Sequence, residues 1–220
     1  MAPVLLIKSD LDYRAPEQES EFALNFLKKG LGYYHVFKKN WSEAHYKTFF
    51  NEIPEYLHNR LIINRKEHNG QIQKHVGVYI ENGIHSSMIP SWEIIPAITV
   101  RRNCLRVTSV GKLRQLSSAL FFFDAVYLTS VFNGGNLEIQ NSSEHQRLKN
   151  LLTYTRKMVF ASGCVNASNI HSLVHFGFPG IVLNRCIWDA KNPMHEFEML
   201  YNYVRRLTSV TSVRMSVVNY

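Results

Sequence analysis

The residues of this sequence best placed to do chemistry are cations. Residues 100–128, VRRNCLRVTSVGKLRQLSSALFFFDAVYL, begin with a cation-rich half that contains no acidic residue. The five cations of this half are Arg101, Arg102, Arg106, Lys112 and Arg114. Arginine and lysine bind phosphate groups, and arginine can do so through two parallel hydrogen bonds. The stretch therefore predicts a binding site for a phosphate-bearing or polyanionic partner.

The distribution of charge favours the same interpretation. The chain has a formal net charge of +8, and residues 99–160 contain nine cations and three anions, so six of the eight net charges lie in this segment. A local surplus of positive charge indicates a polyanionic partner, and RNA and an anionic membrane surface are the two main candidates. The alternative is an ordinary solvated face whose cations pair with distant carboxylates.

Lys112 and Arg114 fall in the first turn of a predicted helix. Cations are mildly unfavourable there because the start of a helix already carries partial positive charge. A bound phosphate would relieve that repulsion, since the cations and the helix amides could share it. The segment is not a phosphate-binding P-loop, because Arg106 replaces the first glycine of that motif and Leu113 replaces its hydroxyl residue.

Two further groups of residues could extend a nucleic-acid surface. Tyr34, Lys38 and Lys39 belong to an aromatic and basic segment, in which rings could stack on bases while lysines hold phosphates. The other group, on a later predicted helix, consists of Lys149, Arg156 and Lys157. The alternative for the aromatic residues is a place in the core, and for the later cations an exposed helical face.

Cysteine and histidine could also form a site. His171 and His175 are four residues apart on a predicted short helix, and Cys164 and Cys186 flank them. Zinc accepts such ligands, but the spacing matches no closed metal motif. We therefore predict no metal, no cofactor and no catalytic residue. A cysteine–histidine pair acting as a nucleophile remains the enzymatic alternative.

Motifs of several large enzyme classes are missing. The sequence has no G-x-S-x-G, no H-E-x-x-H and no dinucleotide-binding glycine pattern. Asp10 and Asp12 follow a predicted strand, but the chain has only two other aspartates, Asp124 and Asp189, so a turn is the favoured interpretation. These absences favour a non-enzymatic role.

The cysteine count and the apolar runs bear on the compartment. Three cysteines at irregular spacing do not form a disulfide framework, which predicts reduced thiols and a cytoplasmic location. The first residues lack the pattern of a secretory signal, and no apolar run reaches the length of about 18 residues needed to cross a bilayer.

Hydrophobic periodicity predicts a mostly helical chain. Helices are predicted at 16–29, from Ser42 towards Pro54, from Gly111 to Val131, from Ser143 and from Pro193. The helix after Gly111 is apolar nearly all round, which is typical of a buried central helix. Short strands are predicted at 4–7, 33–38 and 75–80, and residues 208–220 form a strand-like tail with no partner nearby.

We therefore predict a mainly α fold of the α+β class: a compact helical domain with a buried central helix. Residues 1–220 form a single unit that could divide into lobes 1–98 and 99–207, with an arm at 208–220 that could exchange between subunits. The predicted function is an RNA-binding, self-assembling structural protein, similar in character to a viral nucleoprotein and acting as a homo-oligomer. The alternatives are a matrix-type protein on anionic membranes and an unrecognised cysteine or histidine enzyme.

Overall fold

A computed structural model of the chain describes residues 2–11, 14–64, 76–81, 104–129, 131–133, 136–137 and 142–217. Its strands are β1 Val4–Ser9, β2 Tyr33–Val36, β3 Leu61–Asn64, β4 Gly77–Ile80, β5 Arg106–Val110, β6 Ala125–Leu128, β7 Phe132–Asn133, β8 Asn136–Leu137, β9 Met158–Ala161 and β10 Gly180–Leu183. Its α-helices are α1 Pro16–Lys28, α2 Glu43–Asn51, α3 Leu113–Phe122, α4 Ser142–Tyr154, α5 Ile170–Phe176, α6 Arg185–Trp188 and α7 Pro193–Val217, and Glu55–Arg60 is a 3₁₀ helix.

Eight of these strands form a closed parallel barrel. Their order around the barrel is β1-β2-β3-β4-β5-β6-β9-β10, and β10 pairs with β1 to close it. In the described residues, helices follow β1, β2, β5, β9 and β10 and lie between β6 and β9, and β7 and β8 form a small antiparallel pair apart from the barrel. This is the (β/α)₈ architecture known as the TIM barrel.

The barrel divides the apolar side chains into two cores. Inside the barrel, layers of side chains from alternate strands pack together, among them Leu6, Ile62, Val107 and Phe160. The larger core lies between the strands and the surrounding helices. Four strands, β3, β4, β6 and β10, are buried along their whole length, because a parallel sheet covered on both faces leaves no strand face to solvent.

Several local predictions are confirmed. Helix α1 begins at Pro16 and has Glu17 and Glu19 in its first turn, as the dipole pattern predicts. Ser42 caps α2 by accepting a hydrogen bond from the His45 amide at 3.4 Å. At the start of α7, the Asn192 side chain accepts from the His195 amide at 3.1 Å. These positions were predictable because capping depends on residues within one turn.

The predicted fold class is wrong. The chain is a parallel β/α barrel and not a mainly helical α+β domain with a buried central helix. The segment predicted as that helix contains α3 and then strand β6, which are separated at Phe123 and Asp124. The Phe123 backbone is extended, and Asp124 binds the start of β5 through its carboxylate. An apolar run fits a buried helix and a buried parallel strand equally well, and periodicity alone does not separate them.

The predicted strand in the tail is also wrong, since α7 continues to Val217. Strands from both sides of the proposed lobe boundary, including β4 and β5, pair within the same barrel. Among the described residues, no helix combines the length and apolar character needed to cross a membrane.

Candidate active site

The carboxyl-terminal end of the barrel is the part of the fold where catalytic residues are expected. In TIM-barrel enzymes the loops that follow the strands build the active site, whereas the opposite end serves stability. In this chain, polar side chains lie at the carboxyl ends of several strands, and we call this end the mouth. They are Lys8 on β1 and Asp10 after it, Asn64 on β3, Glu81 after β4, Ser109 on β5 and Asn184 after β10.

A buried histidine lies just below the mouth. His35 of β2 is fully buried, and its Nε2 lies 3.3 Å from Asn64 Oδ1. Its Nδ1 lies 3.3 Å from the Tyr127 hydroxyl. Because the amide oxygen can only accept, Nε2 carries the proton and Nδ1 accepts from Tyr127. Burial, together with the positive charge of Lys8, lowers the pKa of His35 to about 3, so this imidazole is neutral at physiological pH.

Two tyrosines complete this layer. The Tyr79 hydroxyl lies 2.7 Å from Ser109 Oγ, and the Tyr79 ring stacks on Tyr127 with centroids 5.6 Å apart. Burial raises the pKa of Tyr79 and raises that of Tyr127 further. The layer therefore gives the mouth a neutral floor of hydrogen-bonding groups.

Lys8 is a partly buried cation near the carboxyl end of β1. Its Nζ lies 4.0 Å from the centroid of the Phe37 ring, which is a cation–π contact. Burial lowers the pKa of Lys8, and the nearby carboxylates of Asp10 and Glu81 partly oppose that effect. A lysine in such a place can transfer a proton, or stabilise negative charge on a ligand, more readily than an exposed one.

The turn after β9 has an unusual backbone. Gly163 has a φ of +100° and Cys164 a φ of +49°, and Cys164 is the only non-glycine residue with positive φ among the described residues. Within the described part of the chain, no hydrogen bond uses the amides of Gly163, Cys164 or Val165. Successive amides of a turn that have no hydrogen-bond partner can bind an anion together, as they do in the concavities called nests. We call residues 163–165 the β9 nest.

Two asparagines hold the β9 nest in place. Asn169 is buried, and its Nδ2 donates to the Cys164 carbonyl at 2.9 Å. Its Oδ1 accepts from the Asn166 amide at 2.9 Å. The Asn166 side chain in turn accepts from the amide and the hydroxyl of Ser168 at 2.9 and 2.6 Å. The turn is therefore organised by the protein itself, without a ligand.

The end of β10 contributes the neighbouring part of the mouth. Asn184 Nδ2 donates to Asp10 Oδ2 at 3.0 Å, which joins the loops after β10 and β1. Asn184 Oδ1 is buried and has no hydrogen-bond partner within the described ranges. Strands β9, β10 and β1 are adjacent in the barrel. The β9 nest, Asn184 and Lys8 therefore lie at or next to the carboxyl ends of three neighbouring strands.

The wall between β1, β2 and α1 contains a buried ion pair. Lys38 Nζ lies 2.9 Å from Glu19 Oε2 and 3.0 Å from Ser9 Oγ, and Glu19 and Lys38 are fully buried. The Tyr34 hydroxyl donates to Glu19 Oε1 at 2.5 Å. Lys38 and Tyr34 were predicted to contact nucleic acid, but their burial makes both inaccessible to such a partner. Lys39, the third residue of that group, is exposed and lies close enough to Lys8 to lower its pKa.

The predicted cationic stretch does not form one described patch. Arg106 lies at the start of β5 and binds both carboxylate oxygens of Asp124 at 2.8 Å, so its charge is neutralised. Lys112 and Arg114 are exposed near the start of α3, at the opposite end of β5 from Arg106. Arg101 and Arg102 lie outside the described residues.

The later cations have separate surroundings. Lys149 and Arg156 are exposed, on and just after α4. Lys157 Nζ donates to the carbonyls of Phe123 and Phe121 at 2.9 and 3.3 Å, beside the end of α3. Lys157 therefore has a structural contact, whereas Lys149 and Arg156 point to solvent.

The cysteine and histidine residues are also dispersed. His171 and His175 are exposed on α5, and Cys164 is exposed in the β9 nest. Burial raises the pKa of the Cys186 thiol to about 11, which makes it a poor nucleophile. In the part of the chain that the structure describes, no three side chains of the metal-binding types lie together.

Sequence reasoning missed most of the mouth. Lys8, His35 and Asn64 are polar residues within or directly after short apolar runs, and such a residue can mark the carboxyl end of a buried strand. That signal was present, but it depends on recognising the runs as parallel strands. Asp10 was recognised as following a strand and interpreted as part of a turn, and Asp12 lies outside the described residues.

The chain is similar in structure to several solved enzymes. Thiamine phosphate pyrophosphorylase from Bacteroides thetaiotaomicron has a TM-score of 0.65 at 16% identity, covering 94% of this chain and 98% of that one. The same-named protein from Pyrococcus furiosus has a TM-score of 0.63 at 18% identity, covering 94% and 96%. (S)-3-O-geranylgeranylglyceryl phosphate synthase from Thermoplasma acidophilum has a TM-score of 0.60 at 10% identity, covering 90% and 91%. No family model and no curated protein matches this chain by sequence.

These findings define the chain as a TIM barrel, a fold that it shares with the structures named above. The predicted role of an RNA-binding, self-assembling nucleoprotein is wrong, and so is its description as a viral structural protein. That role was built on a mainly helical domain with a cationic patch, whereas the chain has the barrel of structures whose names are those of enzymes.

Proposed function

We propose that this chain is an enzyme that acts on a small phosphorylated compound at the mouth of the barrel. The observation that carries the proposal is the β9 nest, which presents three amides at the place where TIM-barrel enzymes frequently bind phosphate. The loops after the seventh and eighth barrel strands form that place, and here they follow β9 and β10.

The chemistry of the β9 nest suits a phosphate group. Amide donors carry partial positive charge, and a phosphate oxygen accepts hydrogen bonds from several of them at once. Asn169 already holds the turn from below, so binding would not require the turn to be ordered first. Arg185 is exposed at the first position of α6, directly after Asn184, and its guanidinium could bind the same anion.

Lys8 is the residue that we assign to the reacting part of the ligand. Its ammonium lies near the carboxyl end of β1, the strand next to β10, and contacts the ring of Phe37. Below it, His35 and Tyr127 are neutral at neutral pH. A cation with a lowered pKa in such surroundings can stabilise negative charge that develops in a transition state or can exchange a proton with the ligand. Asp10 and Glu81 are nearby carboxylates that could exchange protons with the same ligand.

The names of the similar structures support a phosphorylated ligand. Two are named for thiamine phosphate, and the third was solved with sn-glycerol-1-phosphate. Identities of 10–18% show a shared fold, so the support for this chain is by analogy.

The test compares two glycine variants. In Gly163→Ala the new Cβ would lie 2.3 Å from the Thr129 carbonyl oxygen, so the β9 nest must move. In Gly177→Ala, φ is +92° but no atom lies within 4 Å of the new Cβ, which makes it a control for backbone strain alone. We expect isothermal titration with sn-glycerol-1-phosphate to show binding by the wild type and by Gly177→Ala, and at least roughly tenfold weaker binding by Gly163→Ala.

A second measurement needs no variant. Amide resonances of residues 163–165 in the labelled wild-type protein should shift on addition of sn-glycerol-1-phosphate and not on addition of glycerol. Unchanged resonances, or equal binding by the two glycine variants, would refute the proposal that this turn holds phosphate.

A further inference from the structure

A groove on the outside of the barrel has the character of a docking surface. It lies between α3 and α4 and has a volume of about 880 Å³. Its apolar lining includes Leu120 and Phe121 from α3 and Leu151 and Tyr154 from α4. We call it the α3–α4 groove. It is separate from the mouth, because both helices pack on the outer surface of the strands and Phe121 and Tyr154 are at their carboxyl-terminal ends, next to the amino-terminal end of the barrel.

Two aromatic rings of this groove are exposed far beyond what folding requires. Phe121 is 78% exposed and Tyr154 is 83% exposed, although each belongs to a helix whose other face is buried. Exposed aromatic rings that flank a concave apolar surface are typical of sites where a partner buries them. Leu120 and Leu151 contribute an aliphatic lining between the rings, which can pack against apolar side chains.

The charges around the groove are positive. Arg147 lines it, and Arg114 is three residues before the lining residue Ser117, on the same face of α3. Lys149 is on the opposite face of α4 from the lining residues, and the exposed Glu144 is the acidic residue that the described part of α4 contributes beside the groove, so the two arginines leave a net positive rim. An apolar groove with a basic rim is complementary to a ligand that has an apolar stripe and acidic flanks.

We infer that the α3–α4 groove binds an acidic amphipathic helix from another protein. Apolar side chains at i, i+3, i+4 and i+7 would lie between Phe121 and Tyr154, and flanking carboxylates would pair with Arg147 and Arg114. A second copy of this chain is a poorer occupant, because apposed grooves would bring the arginines of both copies together. RNA is also a poorer occupant, because most of the accessible lining is apolar and a sugar–phosphate backbone would gain little by covering it.

The probe is a synthetic 16-residue helix with leucines at that spacing and glutamates elsewhere. Binding is measured by fluorescence anisotropy with the full-length protein. Two further probes, a charge-inverted peptide in which lysines replace the glutamates and a labelled oligouridine, serve as comparisons. We expect the acidic peptide to bind and the lysine peptide and oligouridine to bind at least roughly tenfold more weakly.

Variants locate the binding on the surface. The double variant Phe121→Ser, Tyr154→Ser should bind the acidic peptide at least roughly tenfold more weakly, and Arg147→Glu should also weaken it. Tyr56→Ser removes another tyrosine, 73% exposed on the 3₁₀ helix, and Arg206→Glu reverses an exposed cation on α7; both should bind like the wild type. All five positions are exposed, so the variants should fold, and circular dichroism checks this.

The inference is overturned if the wild type does not bind the acidic peptide, if the lysine peptide or oligouridine binds as well, or if Tyr56→Ser weakens binding as much as the double variant. Gel filtration of the free protein adds one more check. A dimer that the double variant abolishes would show that a second copy occupies the groove, and would also refute the inference.

Discussion

The two ends of the barrel use positive charge in different ways. At the amino-terminal end, Arg106 forms a two-point ion pair with Asp124, and both side chains are partly exposed, at 25% and 34%. At the carboxyl-terminal end, Lys38 forms a completely buried pair with Glu19, and Lys8 lies beside it on the sheet against the ring of Phe37. Of these three cations, Lys8 has no ion pair within 4.0 Å in the described part of the chain.

This difference shows why charge density was a poor guide to function. A cation that is prominent in the sequence, such as Arg106, can be fully neutralised by a residue that follows it 18 positions later. A single lysine at the end of an apolar strand contributes little to the charge distribution, yet the fold places it in the mouth. Three variants test the comparison, from the largest expected change in the free energy of unfolding to the smallest.

Glu19→Gln should cause the largest loss of stability. It removes the carboxylate that pairs with the buried Lys38 ammonium at 2.9 Å, and removing one partner of a buried ion pair costs about 3–5 kcal/mol. Glu17→Gln is the control, because Glu17 is exposed in the same first turn of α1 and should cost less than about 1 kcal/mol. Urea unfolding gives both values. Equal losses would mean that the buried pair at the mouth does not stabilise the fold more than an exposed charge does.

Asp124→Asn should cost about 1–2 kcal/mol at neutral pH, because the carboxylate accepts charge-assisted hydrogen bonds but is partly screened by solvent. Burial raises the pKa of Asp124, but the hydrogen bonds and positive charge of Arg106 outweigh this, so its pKa lies below the usual range.

The sign of the pH dependence follows from that direction. A carboxyl whose pKa is lower in the folded state stabilises the protein above its unfolded pKa of about 3.9, and this stabilisation is lost as pH falls through the folded pKa. The stability difference between wild type and Asp124→Asn should therefore shrink below about pH 4. A difference for Asp124→Asn that stays constant as the pH falls would contradict the assignment.

Lys8→Met should change stability least and ligand binding most. Burial lowers the pKa of Lys8 because it disfavours the charged form of the side chain. The charged lysine therefore costs free energy in the folded state, and methionine avoids that cost. We expect the free energy of unfolding at pH 7 to change by less than about 1 kcal/mol. We expect loss of turnover or of sn-glycerol-1-phosphate binding, whereas Lys39→Met, an exposed neighbour, should retain both. A large loss of stability would place Lys8 with Lys38 as a structural cation.

Local features of this fold were predictable from the sequence, and long-range ones were not. The Ser42 cap, the start of α1 at Pro16 and the start of α7 at Pro193 depend on residues within one turn. The closure of the barrel depends on pairing between β1 and β10, which are about 170 residues apart, and no local pattern encodes it. The segment LFFFDAVYL shows the same limit, because α3 and β6 are equally apolar there.

The candidate site was harder to predict than the fold. His35 lies in the aromatic and basic segment that contains Tyr34 and Lys38, and its contacts with Asn64 and Tyr127 join β2, β3 and β6. The β9 nest is formed by Gly163 and Cys164 through backbone angles, which side-chain chemistry does not reveal. Cys164 was weighed for its thiol, whereas its amide is the group that the turn presents.

The pairing of β1 with β10 has a consequence for synthesis. Strand β1 finds one neighbour in β2 soon after translation, but its other edge stays open until residues 180–183 have left the ribosome. At about 5–20 residues per second, the delay is on the order of ten to thirty seconds. During that time an unprotected strand edge is exposed to other nascent chains, so this protein should depend on chaperones more during translation than after release.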